Sequence, residues 1–183
     1  MIGVIDACFA IDWSNYRSAD LLGMFFKLLY IHEEVLEQVK SERALRLVGD
    51  LLSRGVLRLY PWSSADESEF LRLREEVVAD PRVPALERPD LLCLIMAKSL
   101  GAVLLSENVG IHRVVQFHPR YEDVTVWTAL ELLENMLYAG IVNASSVEEF
   151  IEIVREYERD TAHVFKSKRL AEALERVRMW LRR

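Results

Sequence analysis

The sequence has 183 residues, of which 51% are hydrophobic and 28% are charged, so it can form one ordinary globular core and lacks the bias of a disordered chain. Its formal net charge of −6 excludes a generally basic nucleic-acid coat but not a nuclease, which needs only a local basic path. The sequence contains no run of about eighteen uncharged apolar residues, and Asp6 interrupts the apolar N-terminus. We therefore expect a cytoplasmic protein without a membrane span or signal peptide.

The first third of the chain alternates between strand and helix patterns. A short β-branched run predicts a buried strand over residues 1–5. Helical spacing after Ser18, a candidate N-cap, predicts a helix over 18–29, and a longer helix follows over 31–55, ended by Gly55. Residues 56–60 form the next predicted strand, which Pro61 closes.

The middle of the chain repeats this alternation. A capped amphipathic pattern predicts a helix over 63–78, and a proline-rich loop covers 80–90. Residues 91–101 are apolar nearly all round, which is typical of an enclosed helix. Short strands are predicted over 102–106 and 124–127. This order indicates a three-layer α/β/α fold with a mostly parallel central sheet.

Carboxylates stand where this fold places its functional crevice, beyond the carboxyl ends of the strands. Asp6 ends the first strand, Asp90 opens the enclosed helix, and Glu107 follows Ser106 at the end of the strand over 102–106. Three acids in one pocket repel one another unless a hard divalent cation neutralises them. If they converge, the expected cofactor is Mg²⁺ or Mn²⁺, which supports phosphodiester hydrolysis.

Each acid also has an ordinary structural explanation. Asp6 could simply end a strand, Asp90 could complement a helix dipole, and Glu107 could be a solvated loop residue. Asp12 is predicted to be a turn residue that supports the site at most. The histidines have no zinc-ligand spacing, and both cysteines are expected in the core.

The segments "VIDACFAID", "IHEEVLEQV" and "ERPDLLCLIMAKSLGAVLLSEN" together resemble the PIN domain, and most closely the VapC-like toxins and their archaeal relatives. The resemblance covers roughly residues 1 to 125. It implies an endoribonuclease whose metal ligands are Asp6, Asp90 and Glu107, with RNA, single-stranded or structured, as substrate. It also implies a possible antitoxin partner.

Two positions depart from the family pattern. The glutamate expected three residues after Val35 is Gln38 here, and Glu34, one helical turn back, is the candidate substitute. The final acid expected two residues after Ser106 is Asn108. The resemblance thus assigns catalytic roles to Asp6, Asp90, Glu107 and Glu34, and supporting roles to Gln38, Ser106, Asn108 and Asp12. The alternatives are a catalytically impaired PIN-fold module that binds RNA or protein, and an unrelated α/β protein with surface acids.

Residues 128–183 are predicted to form a helical extension packed on a PIN-like domain of residues 1–127, with breaks near 140–145 and 161. An acidic helix over 145–160 precedes a basic helix over 166–183. These helices either pair within the chain through their opposite charges, or the basic one contacts RNA phosphates or a partner. The apolar residues of the extension further predict a homodimer.

Overall fold

A computed structural model describes residues 1–182 and shows an α/β fold, which confirms the predicted class. The strands are β1 (Ile2–Ile5), β2 (Leu28–Ile31), β3 (Leu57–Leu59), β4 (Val103–Leu105) and β5 (Val126–Trp127). The helices are α1 (Ala7–Asn15), α2 (Leu21–Phe25), α3 (Glu33–Leu36), α4 (Glu42–Ser53), α5 (Ser64–Ala79), α6 (Arg88–Leu100), α7 (Val109–Phe117), α8 (Ala129–Tyr138), α9 (Val147–Thr161) and α10 (Ser167–Leu181).

The strands form one five-stranded sheet in the order β3-β2-β1-β4-β5, and every neighbouring pair is parallel. The chain first runs outward from β1 to β3 and then returns to β4 on the other side of β1. This reversal makes the carboxyl end of β1 a topological switch point, where open α/β sheets form their crevices. Ile5 and Leu105 are register partners, so the next residues, Asp6 and Ser106, emerge side by side.

The core lies between the sheet and its flanking helices. Helix α6 is its centre, because Leu91 through Ala97 are all buried, as expected for an enclosed helix. On the sheet, Gly3 permits close packing, since a Cβ there would lie 2.8 Å from the side chains of both Leu29 and Phe26. None of the helices in residues 1–182 is long and apolar enough to cross a membrane.

The region over 28–55 differs from the predicted long helix. It contains strand β2, the short helix α3 and a separate helix α4, whose N-cap Ser41 accepts a hydrogen bond from the Ala44 N–H at 3.3 Å. Ser18 is not a cap either, because α2 begins at Leu21. The long-helix prediction was wrong because an apolar run of four residues fits a strand as well as a helical turn.

Two helices were not predicted. Helix α1 begins immediately after Asp6, and it places Asp12 within a helix rather than in a turn. Helix α7 begins after Asn108, which caps it by accepting a hydrogen bond from the Gly110 N–H at 2.8 Å. Both helices follow a polar residue at the carboxyl end of a strand, so the site residues themselves start them.

The C-terminal helices pack on the rest of the chain and on one another, with breaks where the sequence predicts them. The charge pairing differs from the predicted one. Two arginines of α10 bind glutamates of α8: Arg169 Nε lies 3.0 Å from Glu131 Oε1, and Arg176 Nη2 lies 2.6 Å from Glu134 Oε2. Acids of α9 instead bind Arg17, which lies 2.8 Å from Asp160. Opposite net charge alone did not identify the partners.

Candidate functional site

Asp6 lies at the centre of the acidic edge. Its side chain is buried, and its Oδ1 accepts a hydrogen bond from the Phe9 N–H at 2.6 Å, which caps α1. The hydroxyl of Ser106 donates a second hydrogen bond to the carboxylate. Burial raises the pKa of Asp6 to about 7, and the charges of Asp90 and Glu107 raise it further against these hydrogen bonds.

Asp90 occupies the first turn of α6 and forms a capping box, in which the Glu87 N–H donates to its Oδ2 at 3.0 Å. Burial raises the pKa of Asp90, while a hydrogen bond from the side chain of Asn108 opposes that rise. Because the Asn108 Oδ1 already accepts from Gly110, the amide NH₂ is the group that faces Asp90. Asn108 therefore holds this carboxylate beside Asp6.

The hydrogen bonds between these elements form one connected network. The Asn108 N–H donates to the Ser106 hydroxyl oxygen at 3.1 Å, and that hydroxyl in turn donates to Asp6. The turn after β4 thus orients both aspartates, Asp6 through Ser106 and Asp90 through Asn108. Sequence comparison with the family treated Asn108 as a lost acid, whereas its amide here positions an acid.

Glu107 is turned toward the C-terminal helices. Its Oε1 accepts a hydrogen bond from the Ala129 N–H at 2.7 Å, at the start of α8, and its Oε2 lies 3.6 Å from His163 Nε2. Burial raises the pKa of Glu107, and the charges of His163 and Arg169 oppose that rise. Its charge nonetheless acts on Asp6, so Glu107 borders the aspartate pair while it caps α8.

Glu34 and Gln38 have other surroundings. Arg88 Nε donates to both carboxylate oxygens of Glu34, at 3.0 and 3.1 Å, and its terminal nitrogens bind Glu67. Gln38 is exposed in the turn after α3, and its side chain makes no hydrogen bond within residues 1–182. The structure therefore brings together Asp6, Asp90, Ser106, Asn108 and the neighbouring Glu107, and it gives Glu34 an arginine partner instead.

Sequence reasoning missed two residues near the acids. His163, between α9 and α10, acts electrostatically on Asp12 as well as contacting Glu107, and no local motif could have linked residues so far apart in sequence. Cys8 is exposed rather than buried in the core, and the charges of Asp6, Asp12 and Asp90 add to the rise in its pKa that burial causes. Its place in the first turn of α1 follows from Asp6 capping that helix.

The donor atoms of this edge are all hard oxygens, which suit Mg²⁺ and Mn²⁺. Within residues 1–182 no group of three or more His, Cys, Asp or Glu side chains is arranged to hold a metal ion. The fit is thus to an ion held by two carboxylates, Asp6 and Asp90, and Mg²⁺ is commonly bound by one or two carboxylates together with substrate phosphates.

A cavity of about 600 Å³ lies elsewhere, between α5, the loop before α6 and the start of α6. Its walls are mainly apolar, and none of the carboxylates discussed above lines it. The volume of this cavity therefore does not mark the acidic edge. It is an apolar space beside α6, with Arg74 and Arg88 in its lining.

No protein-family model matches the sequence, and no curated protein matches it. Among solved structures, the chain is similar to the crystal structure of VapBC2 from Rickettsia felis bound to a DNA fragment from their promoter. The sequence identity is 18%, the match covers 70% of this chain and 98% of that chain, and the TM-score is 0.49.

Proposed function

We propose that the chain is a divalent-metal-dependent endoribonuclease of the PIN, VapC-like type, and that Asp6 and Asp90 hold Mg²⁺ or Mn²⁺. One observation carries this proposal: a buried aspartate with a pKa raised to about 7 faces a second aspartate at the switch point of a parallel sheet. Burying a carboxylate beside another acid is unfavourable without a cation. Such an arrangement is typical of a functional site rather than of a structural one.

In this proposal each residue of the edge has a defined task. When bound, the ion supplies Lewis acidity for phosphodiester hydrolysis. Asp6 and Asp90 bind it, Ser106 keeps Asp6 oriented, and Asn108 keeps Asp90 oriented. Glu107 lies close enough to add negative charge, but its carboxylate is engaged by the start of α8 and by His163.

The second candidate is a PIN-fold module that binds RNA or protein and does not cleave. It is favoured by the ion pair of Glu34 with Arg88, which engages the carboxylate that was expected to replace Gln38. The lack of a three-residue metal cluster within residues 1–182 points the same way. An antitoxin partner belongs to the proposal in either form, and co-purification from the native organism would identify one.

Metal binding gives the first test. Mn²⁺ at millimolar concentration is expected to raise the melting temperature of the wild-type protein, because a ligand that binds only the folded state stabilises it by mass action. Asp6→Asn and Asp90→Asn should lose this shift. Asp123→Asn, which neutralises an exposed acid at the opposite end of β4 and β5, is the matched control and should keep it. An equal shift in all variants would reject the site.

Cleavage gives the second test. A labelled single-stranded RNA should be cut slowly in Mn²⁺, and EDTA, Asp6→Asn and Asp90→Asn should abolish the cutting. Asp123→Asn should cut at the wild-type rate. A protein that shows the metal-dependent shift in melting temperature but never cuts RNA is the non-cleaving module.

A further inference from the structure

The segment that joins α9 to α10 carries cationic side chains to the border of the acidic edge. His163 Nε2 lies 3.6 Å from Glu107 Oε2, and Arg169, one turn into α10, lies 3.0 Å from Glu131. Lys166 and Lys168 lie between these two residues in the sequence. We call His163, Lys166, Lys168 and Arg169 the basic rim.

The backbone of this segment is fixed rather than loose. Ala162 adopts a left-handed conformation with φ of 57°, which is unfavourable for a residue with a Cβ and persists only where the surroundings enforce it. The next N–H, of His163, donates to the Thr161 hydroxyl at 3.2 Å, and the Phe165 N–H donates to Glu158 at 2.9 Å. The position of the basic rim is therefore determined by the fold.

Aromatic packing fixes the same segment on its inner side. The Phe165 ring is buried and stacks on Tyr157 at a centroid distance of 5.7 Å, and the His163 ring lies 4.8 Å from Phe165. Tyr157 in turn contacts Trp13 of α1, at 5.5 Å. Since α1 begins at Asp6, this cluster ties the basic rim to the helix that carries the central acid.

The charges of the basic rim are only partly used within the protein. Arg169 has Glu131, and His163 has Glu107. Lys166 is exposed and makes no ion pair within residues 1–182, while the side chain of Lys168 is 90% exposed and lies 4.0 Å from Glu172. Contacts this exposed contribute little to stability, so folding does not explain the two lysines.

We propose that His163, Lys166 and Lys168 bind the backbone phosphates of single-stranded RNA that flank the bond at the acidic edge. This inference rests on the proposed function, since it assigns the substrate-binding wall of that same site. A polyanion that approaches Asp6, Asp90 and Glu107 is repelled by them, and cations beside the acids offset this repulsion. Phosphate contacts position the strand without reading its sequence, so the basic rim binds RNA of any sequence.

The test measures RNA binding separately from cleavage. Full-length protein carrying Asp90→Asn is titrated into a fluorescein-labelled oligouridine of twelve nucleotides at several salt concentrations, in EDTA. Adding Lys166→Gln and Lys168→Gln should weaken binding about tenfold and reduce the slope of log K against log salt by about 1.4, near 0.7 per lost phosphate contact on single strands. Arg178→Gln with Arg182→Gln removes the same charge from the other end of α10. This control should change affinity less than twofold and leave the slope unchanged.

His163 is tested by its kinetics. His163→Ala should raise KM several-fold with little change in kcat, and His163→Gln, which keeps an N–H donor, should recover part of the loss. His118→Gln is the matched control, because His118 pairs with Glu76 away from the acids. Circular dichroism melts confirm that each variant is folded.

The outcomes separate the two proposals. If the oligouridine binds through the two lysines but wild-type protein does not cut it, the nuclease proposal fails and the basic rim stands. If both double variants weaken binding equally, or neither does, the basic rim is rejected whether or not RNA is cut. If no RNA binds at all, both proposals are rejected.

Discussion

Replacing Asp6 with asparagine should make the metal-free protein more stable at neutral pH. Asparagine can keep the cap of α1, because its Oδ1 still accepts from the Phe9 N–H, while the buried negative charge disappears. The pKa of Asp6 rises from 3.8 to about 7 on folding. A difference of about three pKa units corresponds to roughly 4 kcal/mol of destabilisation by the ionised carboxylate above neutral pH.

The sign of the pH dependence follows from proton binding. Between pH 4 and 7 the folded state keeps the Asp6 proton and the unfolded state has lost it, so the stability of the wild-type protein falls as the pH rises through this window. Below pH 4 both states are protonated, and above pH 7 both are ionised, so this contribution becomes constant at each end. Asp6→Asn should lack this part of the pH dependence.

The assay is urea unfolding in EDTA at pH 4, 5, 6, 7 and 8. The difference in unfolding free energy between Asp6→Asn and wild type should grow with pH toward an upper bound of about 4 kcal/mol. Asp123→Asn should show no such growth, since that residue is exposed. A difference that is independent of pH, or a variant less stable than wild type at pH 8, would refute the argument that burial of this charge is unfavourable.

Three further predictions concern other parts of the chain. Gln38→Glu adds a carboxylate after α3, beyond the carboxyl end of β2, and we expect a larger Mn²⁺-induced rise in melting temperature; an unchanged rise would place this residue outside the site. Arg176→Ala leaves the buried carboxylate of Glu134 without its arginine and should lower the unfolding free energy by about 2 kcal/mol, as urea unfolding would report. The exposed Met179 on α10 lies in the predicted dimer surface, so light scattering should give twice 21.2 kDa for the wild type and a monomer for Met179→Lys. A monomeric wild type would contradict the homodimer.

The sequence was most informative where one local pattern decides one element. Apolar runs ending in Asp6 and Ser106 located β1 and β4, and parallel pairing then placed both residues at one edge. Strand β2 was missed because its four residues sit in a longer apolar stretch with no Gly or Pro at either end to mark a strand. Length and flanking residues, which separate strand from helix elsewhere, were uninformative there.

Tertiary contacts were the part that sequence reasoning could not supply. The hydrogen bond from Asn108 to Asp90 and the contact of His163 with Glu107 each join segments distant in sequence, and neither leaves a spacing pattern. Arg88 follows the same rule, since it binds Glu34 from another element and so engages a carboxylate that the family pattern would assign to the metal. Residue type predicted candidate ligands, and packing decided which of them face each other.

The contacts of the last three helices have a practical consequence for cutting the chain. Arg17 binds Asp160, Glu107 accepts a hydrogen bond from Ala129, and Trp13 packs on Tyr157, so the first and last parts of the protein are joined at several separate points. A protease that nicks the exposed stretch around Gly140 would therefore leave two fragments that stay associated and migrate as one species until denaturant is added. Fragments expressed separately on either side of that stretch are suited to reassembly, and the first fragment alone would lack the cover that α9 gives to α1.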